Sequence, residues 1–139
     1  MSGWTPPKYG SPVWVDIASN DLARAQKFYS TVFNWSFKPT EAKDKDADGK
    51  PELAKFDFNP DVNLTGCVRR VPEETGNLVP GRGGICLYWL VEDLDKISEA
   101  IKGAGGKVLS DTVKEGQYGL YRFFEDTEGN MGAVYQLNM

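Results

Sequence analysis

The chain has no histidine in 139 residues. That absence excludes Ser-His-Asp and Cys-His nucleophilic catalysis, His-based zinc sites and the two-His-one-carboxylate iron centre. No side chain has its ordinary pKa near neutrality, so proton transfer at pH 7 falls to a shifted carboxylate, Cys, Tyr or Lys. Cysteine is scarce: Cys67 and Cys86 are too few for a disulfide framework. Positive charge is in deficit, with 16 basic residues against 20 acidic, a net charge of −4 and a pI near 4.9. Such a surface repels phosphate backbones, so no nucleic-acid partner is expected. Long apolar runs are missing too. The longest is Ile85 to Val91, far short of the roughly 20 residues a membrane-spanning helix needs, so no membrane partner is expected. The opening MSGWTPPKYGSP has no apolar stretch of the signal-peptide kind. Together these features predict a cytoplasmic, reducing environment.

What is present is a globular composition, 40% hydrophobic and 26% charged. A chain of this length buries roughly 68–70% of its unfolded surface and folds without a staple. Val13 to Ile17 reads as a strand. Ser19-Asn20-Asp21 supplies an N-cap, and Leu22, Ala25, Phe28, Tyr29 and Val32 recur at helical spacing as one apolar stripe. Asn34 stands where a helix often ends in a left-handed residue. Trp35–Lys38, Leu53–Phe58 and Thr65–Val71 read as strands. Residues 40–51, TEAKDKDADGKP, read as a solvated loop, and the turn-rich PEETGNLVPGRGG as a linker.

After the linker the plan repeats. ICLYWLV is a strand, and Asp93 opens a helix with the stripe Leu94, Ile97, Ala100 and Ile101, ended by Gly103, Gly105 and Gly106. Lys107–Val113, Tyr118–Glu125 and Ala133–Leu137 are three further strands. Asp21-Leu22 overlays Asp93-Leu94, and the order strand, helix, three strands occurs twice. Each such unit buries little core alone, so the halves are expected to pair.

Two further motifs are weak. Asp44-Lys45-Asp46-Ala47-Asp48-Gly49 imitates the start of a calcium loop, but Lys55 stands where a bidentate Glu is required. Gly81-Arg82-Gly83-Gly84 leads into a strand, not a helix, and is no dinucleotide fingerprint.

The segments VWVDIASNDLARAQKFYSTVFNW, GGICLYWLVEDLDKISEAIKGAGGKVL and FFEDTEGNMGAVYQ are similar to those of a known family. Within them FYSTVFNW, GAGGKVL and EDTEGN are the most telling. The chain resembles the vicinal oxygen chelate superfamily, which holds glyoxalase I, bleomycin-resistance proteins and extradiol dioxygenases, and within it the subgroup related to lactoylglutathione lyase. Asn34 replaces a frequent Gly of the family and Thr127 a frequent Pro. The resemblance implies an α+β fold, with two βαβββ modules forming a cup-shaped mixed β-sheet. It spans residues 11–137 as a single domain: module one 11–71, linker 72–82, module two 83–137. It also implies a ligand site inside the cup. The metal-ligand places of metal-using members fall on Trp14, on Gly66 to Val68, on Cys86 and on Ala133. Trp and Ala cannot ligate, so no metal and no cofactor is expected.

Strand alternation then places Trp14 with Asp16, Cys86 with Tyr88, and Ala133 with Tyr135 on one inner face. Asp16 is the candidate catalytic residue, as a general base. Its plainer reading is a structural acid bonded to a backbone amide, a Tyr, or Arg69, Arg70 or Arg122. Trp14, Cys86, Tyr88 and Tyr135 are the candidate ligand-binding residues, although Cys86 also reads as a buried filler and the two tyrosines as core. The function expected is binding of a small organic, aromatic molecule without a metal, by a sequestering protein or a cofactor-free isomerase or lyase. Two alternatives stay open: a metal-dependent glyoxalase-like lyase or dioxygenase, and a non-catalytic structural relative with a filled cup. A homodimer through its sheets or helices is expected.

Overall fold

Alternating β-branched and aromatic residues draw Pro12–Ser19 into the first strand, β1, of a computed structural model that describes residues 6–58, 64–72 and 84–138. The helix α1 (Leu22–Phe33) follows. Asp21 caps it, its carboxylate accepting from the Arg24 amide at 3.0 Å. Asn34 ends it at φ 60°, the left-handed conformation anticipated from its position. Next come β2 (Ser36–Phe37), a 3₁₀ turn (Ala42–Asp44), β3 (Leu53–Asp57) and β4 (Thr65–Arg70). The second series is β5 (Ile85–Leu90), α2 (Leu94–Gly103), β6 (Lys107–Val108), β7 (Val113–Glu115), β8 (Gly119–Glu125) and β9 (Met131–Leu137). Most of the linker segment, from residue 73 to 83, lies outside the described residues.

The chain divides into two compact units, residues 14–86 and residues 1–13 with 87–139. In the first unit the strands run β2-β3-β4-β1. β1 lies parallel to β4, with Asp16 opposite Cys67, while the other pairs are antiparallel. Phe56 and Val68 are fully buried. Tyr29, Trp35 and Phe56 form a continuous stack, with ring centroids 4.7 and 4.4 Å apart. The α1 stripe is narrower than expected. Leu22 is buried and Tyr29 half-buried, but Phe28 and Val32 are 55% and 54% exposed. The row Leu22, Ala25, Tyr29 takes the seam, and Phe28 and Val32 fall one row outward.

In the second unit β5 lies parallel to β9, β9 pairs antiparallel with β8, and β6 and β7 both pair with β8. The single strand expected over 107–113 is therefore two. Ser110 interrupts it: its hydroxyl accepts the Phe123 amide at 2.9 Å, the role a ladder carbonyl would otherwise take. Val91, Leu94 and Val134 form the core here, packed by Ile97, Ile101, Leu120 and Phe124. Ala100, expected in the α2 stripe, is exposed, and Ser98 is buried instead. Its hydroxyl donates to the Leu94 carbonyl at 2.7 Å and accepts from Arg122 Nη1 at 2.8 Å. Arg122 also donates to Asp95 and Thr112, each at 2.8 Å, and so ties α2 to β8.

At Gly66 β4 lies close against β1. A Cβ there would stand 2.2 Å from the Val15 carbonyl oxygen, and that backbone cannot yield without parting the two strands. Gly66→Ala is therefore expected to destabilise the protein by about 3 kcal/mol, at the upper end of overpacking costs. Urea denaturation of the variant measures it.

Candidate functional site

Asp16 is 1% exposed, and a carboxylate so buried must be compensated by donors. Three surround it. Trp14 Nε1 donates to Oδ1 at 2.6 Å, Cys67 Sγ donates to the same oxygen at 3.1 Å, and Arg69 Nε reaches Oδ2 at 3.3 Å. Trp14 and Asp16 lie two apart on β1 and share a face, as alternation required. Cys67 comes from the register partner on β4, and Arg69 two residues further along that face. Of the structural partners weighed in sequence, Arg69 is found. Arg70 instead holds Asp46 at 2.5 Å, and Arg122 holds α2.

Both thiols are fully buried. Burial, then the negative charge of Asp16, push the Cys86 thiol up to about 12. The same two causes push Cys67 up further, and its bond to Asp16 adds to them. Both stay protonated at neutral pH, which makes neither a nucleophile.

The remaining predicted residues, Tyr88 and Tyr135, belong to the other compact unit. There β5, β8 and β9 bring Tyr88, Tyr121, Phe123 and Tyr135 onto one face. Tyr88 meets Tyr121 edge to face at 5.3 Å and Phe123 at 6.1 Å, and Tyr121 lies parallel to Tyr135 at 6.5 Å. Tyr88 is buried, while the other three rings keep partial access to solvent. The Tyr135 hydroxyl donates to Glu115 on β7 in a short hydrogen bond. Burial first, then that bond and the Glu115 charge, hold the Tyr135 phenol well above its ordinary range.

Sequence reasoning missed Tyr121, Phe123 and Glu115 as neighbours of the site. Tyr121 and Phe123 share alternation on β8, and that was the available signal; Glu115 had none, because its partner is set by strand register. The 40–51 segment, expected to be a solvated loop, has a buried acid. Asp44 is 4% exposed, and it accepts from the Glu41 amide at 3.0 Å and pairs with Lys55 at 3.2 Å. Burial pushes Asp44 up, but those partners outweigh it and its pKa falls below the usual carboxylate value. Asp46 accepts from the Asp48 and Lys50 amides. With Lys55 and Arg70 in place, the apparent calcium loop is neutralised from within. A groove at the end of α1, lined by Phe33, Trp35, Asp57 and Phe58 among others, contains none of the predicted residues.

Known proteins agree with this architecture. A family model described as the Glyoxalase/Bleomycin resistance protein/Dioxygenase superfamily matches residues 11–134. A glyoxylase-like domain-containing protein of Didymella fabae is 32% identical over 128 residues, covering 91% of this chain and 93% of the relative. The anthracycline biosynthesis protein DnrV of Streptomyces peucetius is 28% identical over 91% of this chain, which spans only 47% of that longer relative. Among solved structures, methylmalonyl-CoA epimerase from Mycobacterium tuberculosis superposes with a TM-score of 0.63 at 14% identity, covering 99% of this chain and 95% of its own. A superfamily member from Vibrio splendidus gives 0.59 at 12% identity, covering 91% and 97%. The chain belongs to the glyoxalase/bleomycin resistance/dioxygenase superfamily and has its α+β fold.

A metal at the family's ligand places does not fit these residues. Trp14 points an N–H donor at Asp16, Cys67 is a protonated donor to the same carboxylate, and Ala133 is a methyl group. Among the described residues no group of three His, Cys, Asp or Glu side chains could hold an ion.

The two thiols give a direct readout. Near pH 8, iodoacetamide is expected to leave both unmodified in the folded protein and to alkylate both in the urea-unfolded chain, read by intact mass. A thiol that ionises at about 12 when folded and near 9.0 when unfolded favours the native state below pH 9. That contribution is lost as pH climbs from 9 toward 12, so the urea midpoint should fall over this window.

Proposed function

We propose that the protein binds a small aromatic organic molecule without a metal, as a sequestering protein or a cofactor-free isomerase or lyase. One observation carries this reading: Tyr88, Tyr121, Phe123 and Tyr135 line a single sheet face, and three of these rings keep access to solvent. Aromatic rings with a few polar handles suit a flat organic ligand. Trp14 and Cys86 are read as wall residues of the carboxylate cluster. The enzymatic version makes Asp16 the base. Its burial and its three donors favour the binding version, because each donor occupies a lone pair that a substrate proton would need. The exposed apolar residues Phe28, Val32 and Phe33 of α1 support a homodimer, which sedimentation equilibrium tests: a monomer at micromolar concentration would remove it.

Thermal-shift screening against aromatic metabolites checks the binding reading. A ligand at a hundredfold excess over its Kd should stabilise the fold by about 2.7 kcal/mol, several degrees in Tm. Elemental analysis of the purified protein accompanies it, and stoichiometric Ni, Zn, Fe or Mn would overturn the metal-free reading. Where a turnover is found, Asp16→Asn decides the base: undiminished turnover removes Asp16 from that role.

A further inference from the structure

The geometry points to the Tyr135–Glu115 pair as the polar end of the ring-lined face, selecting an aromatic ligand that carries an O–H or N–H donor over one that carries an anionic group. This inference rests on the aromatic-binding reading above and adds the ligand's chemistry to it.

Three strands build the pair. Glu115 on β7 stands opposite Gly119 on β8, and Tyr135 on β9 stands opposite Tyr121, two residues along β8. The phenol must therefore cross Gly119 to reach Glu115, and glycine leaves it room. A Cβ at Gly119 would lie 2.6 Å from both Cζ and the hydroxyl oxygen of Tyr135. The Tyr135 hydroxyl commits its proton to the Glu115 carboxylate. What remains for a ligand is a set of lone pairs: those of the phenolic oxygen and those of an acceptor-only carboxylate. Burial and the bond to Glu115 keep the phenol protonated at neutral pH, so it does not reverse its role by ionising.

Among the described residues, the cations of β7 and β8 do not restore an anion site. Arg122, the basic residue of β8, is engaged by Asp95, Ser98 and the Leu94 carbonyl on the α2 side. Lys114 alternates to the opposite pleat from Glu115. A ligand carboxylate placed here meets acceptors and a like charge. A hydroxyl or amino group meets two acceptors arranged side by side. A site of that kind rejects an analogue lacking the donor more strongly than an apolar wall does, because its polar atoms are then left unpaired.

Three probes of one size test it by titration under saturation-transfer NMR at neutral pH: para-cresol, para-methylanisole and para-toluate. Para-cresol should bind about tenfold more tightly than para-methylanisole, and para-toluate more weakly than either. The double variant Tyr135→Phe/Glu115→Leu, which removes both acceptors, should bring the cresol-to-methylanisole ratio close to unity. Glu115→Gln, which removes the charge and supplies a donor, should raise toluate affinity. Near-UV circular dichroism confirms that both variants keep the native packing. Toluate binding as tightly as cresol, or a ratio that survives the double substitution, overturns the inference and leaves the aromatic-binding reading standing. If none of the three probes binds, that reading falls and the inference with it.

Discussion

A carboxylate almost wholly withdrawn from water sets the terms for the 14–86 unit. Asp16 needs donors, and the parallel register of β1 on β4 delivers them: Cys67 directly opposite, Arg69 one pleat further, and Trp14 from its own strand. That register depends in turn on Gly66, which lets the Val15 carbonyl approach where any side chain would stand in the way. Breaking a buried ionic group of this kind by removing one partner is far costlier than replacing the whole set by apolar residues. The cluster thus works as a lock on strand pairing, and its charge adds to the burial that keeps both neighbouring thiols protonated.

The other unit uses the same pleat differently. One face of β8 and β9 turns Leu120, Phe124 and Val134 toward α2, and Arg122 fastens that helix through three hydrogen bonds, to the Leu94 carbonyl, Ser98 and Asp95. The opposite face carries rings and ends at a phenol–carboxylate pair. The two units share a plan of strand, helix and strands, yet one has a charged cluster on the face away from its helix and the other an aromatic array. In this superfamily fold the sheet supplies the frame, and the side chains on alternate positions supply the chemistry.

Local features were legible in the chain itself. The sequence sets Asp21 and Asp93 at the starts of α1 and α2, and both cap those helices. Asn34 was placed at a left-handed helix end, and it has that conformation. Trp14 and Asp16 were assigned to one face, and their hydrogen bond requires it. Less legible was how wide a helix's buried stripe becomes. Phe28 and Val32 are as apolar as their neighbours, but the surface beneath α1 accommodates only the Leu22–Tyr29 row. Ser98 shows the converse, a polar residue buried because Arg122 and the Leu94 carbonyl satisfy it.

The sequence by itself determined the order of most elements, the caps of the two helices, the superfamily and the face that Trp14 and Asp16 share. These depend on propensities and periods that operate within a few residues. Only the tertiary structure decided which residues meet. Asp16 finds Cys67 and Arg69 some fifty positions away, and Glu115 finds Tyr135 across Gly119. Such meetings are set by register between strands distant in the chain, and a shift of one residue in register would have turned every one of these side chains to the other face.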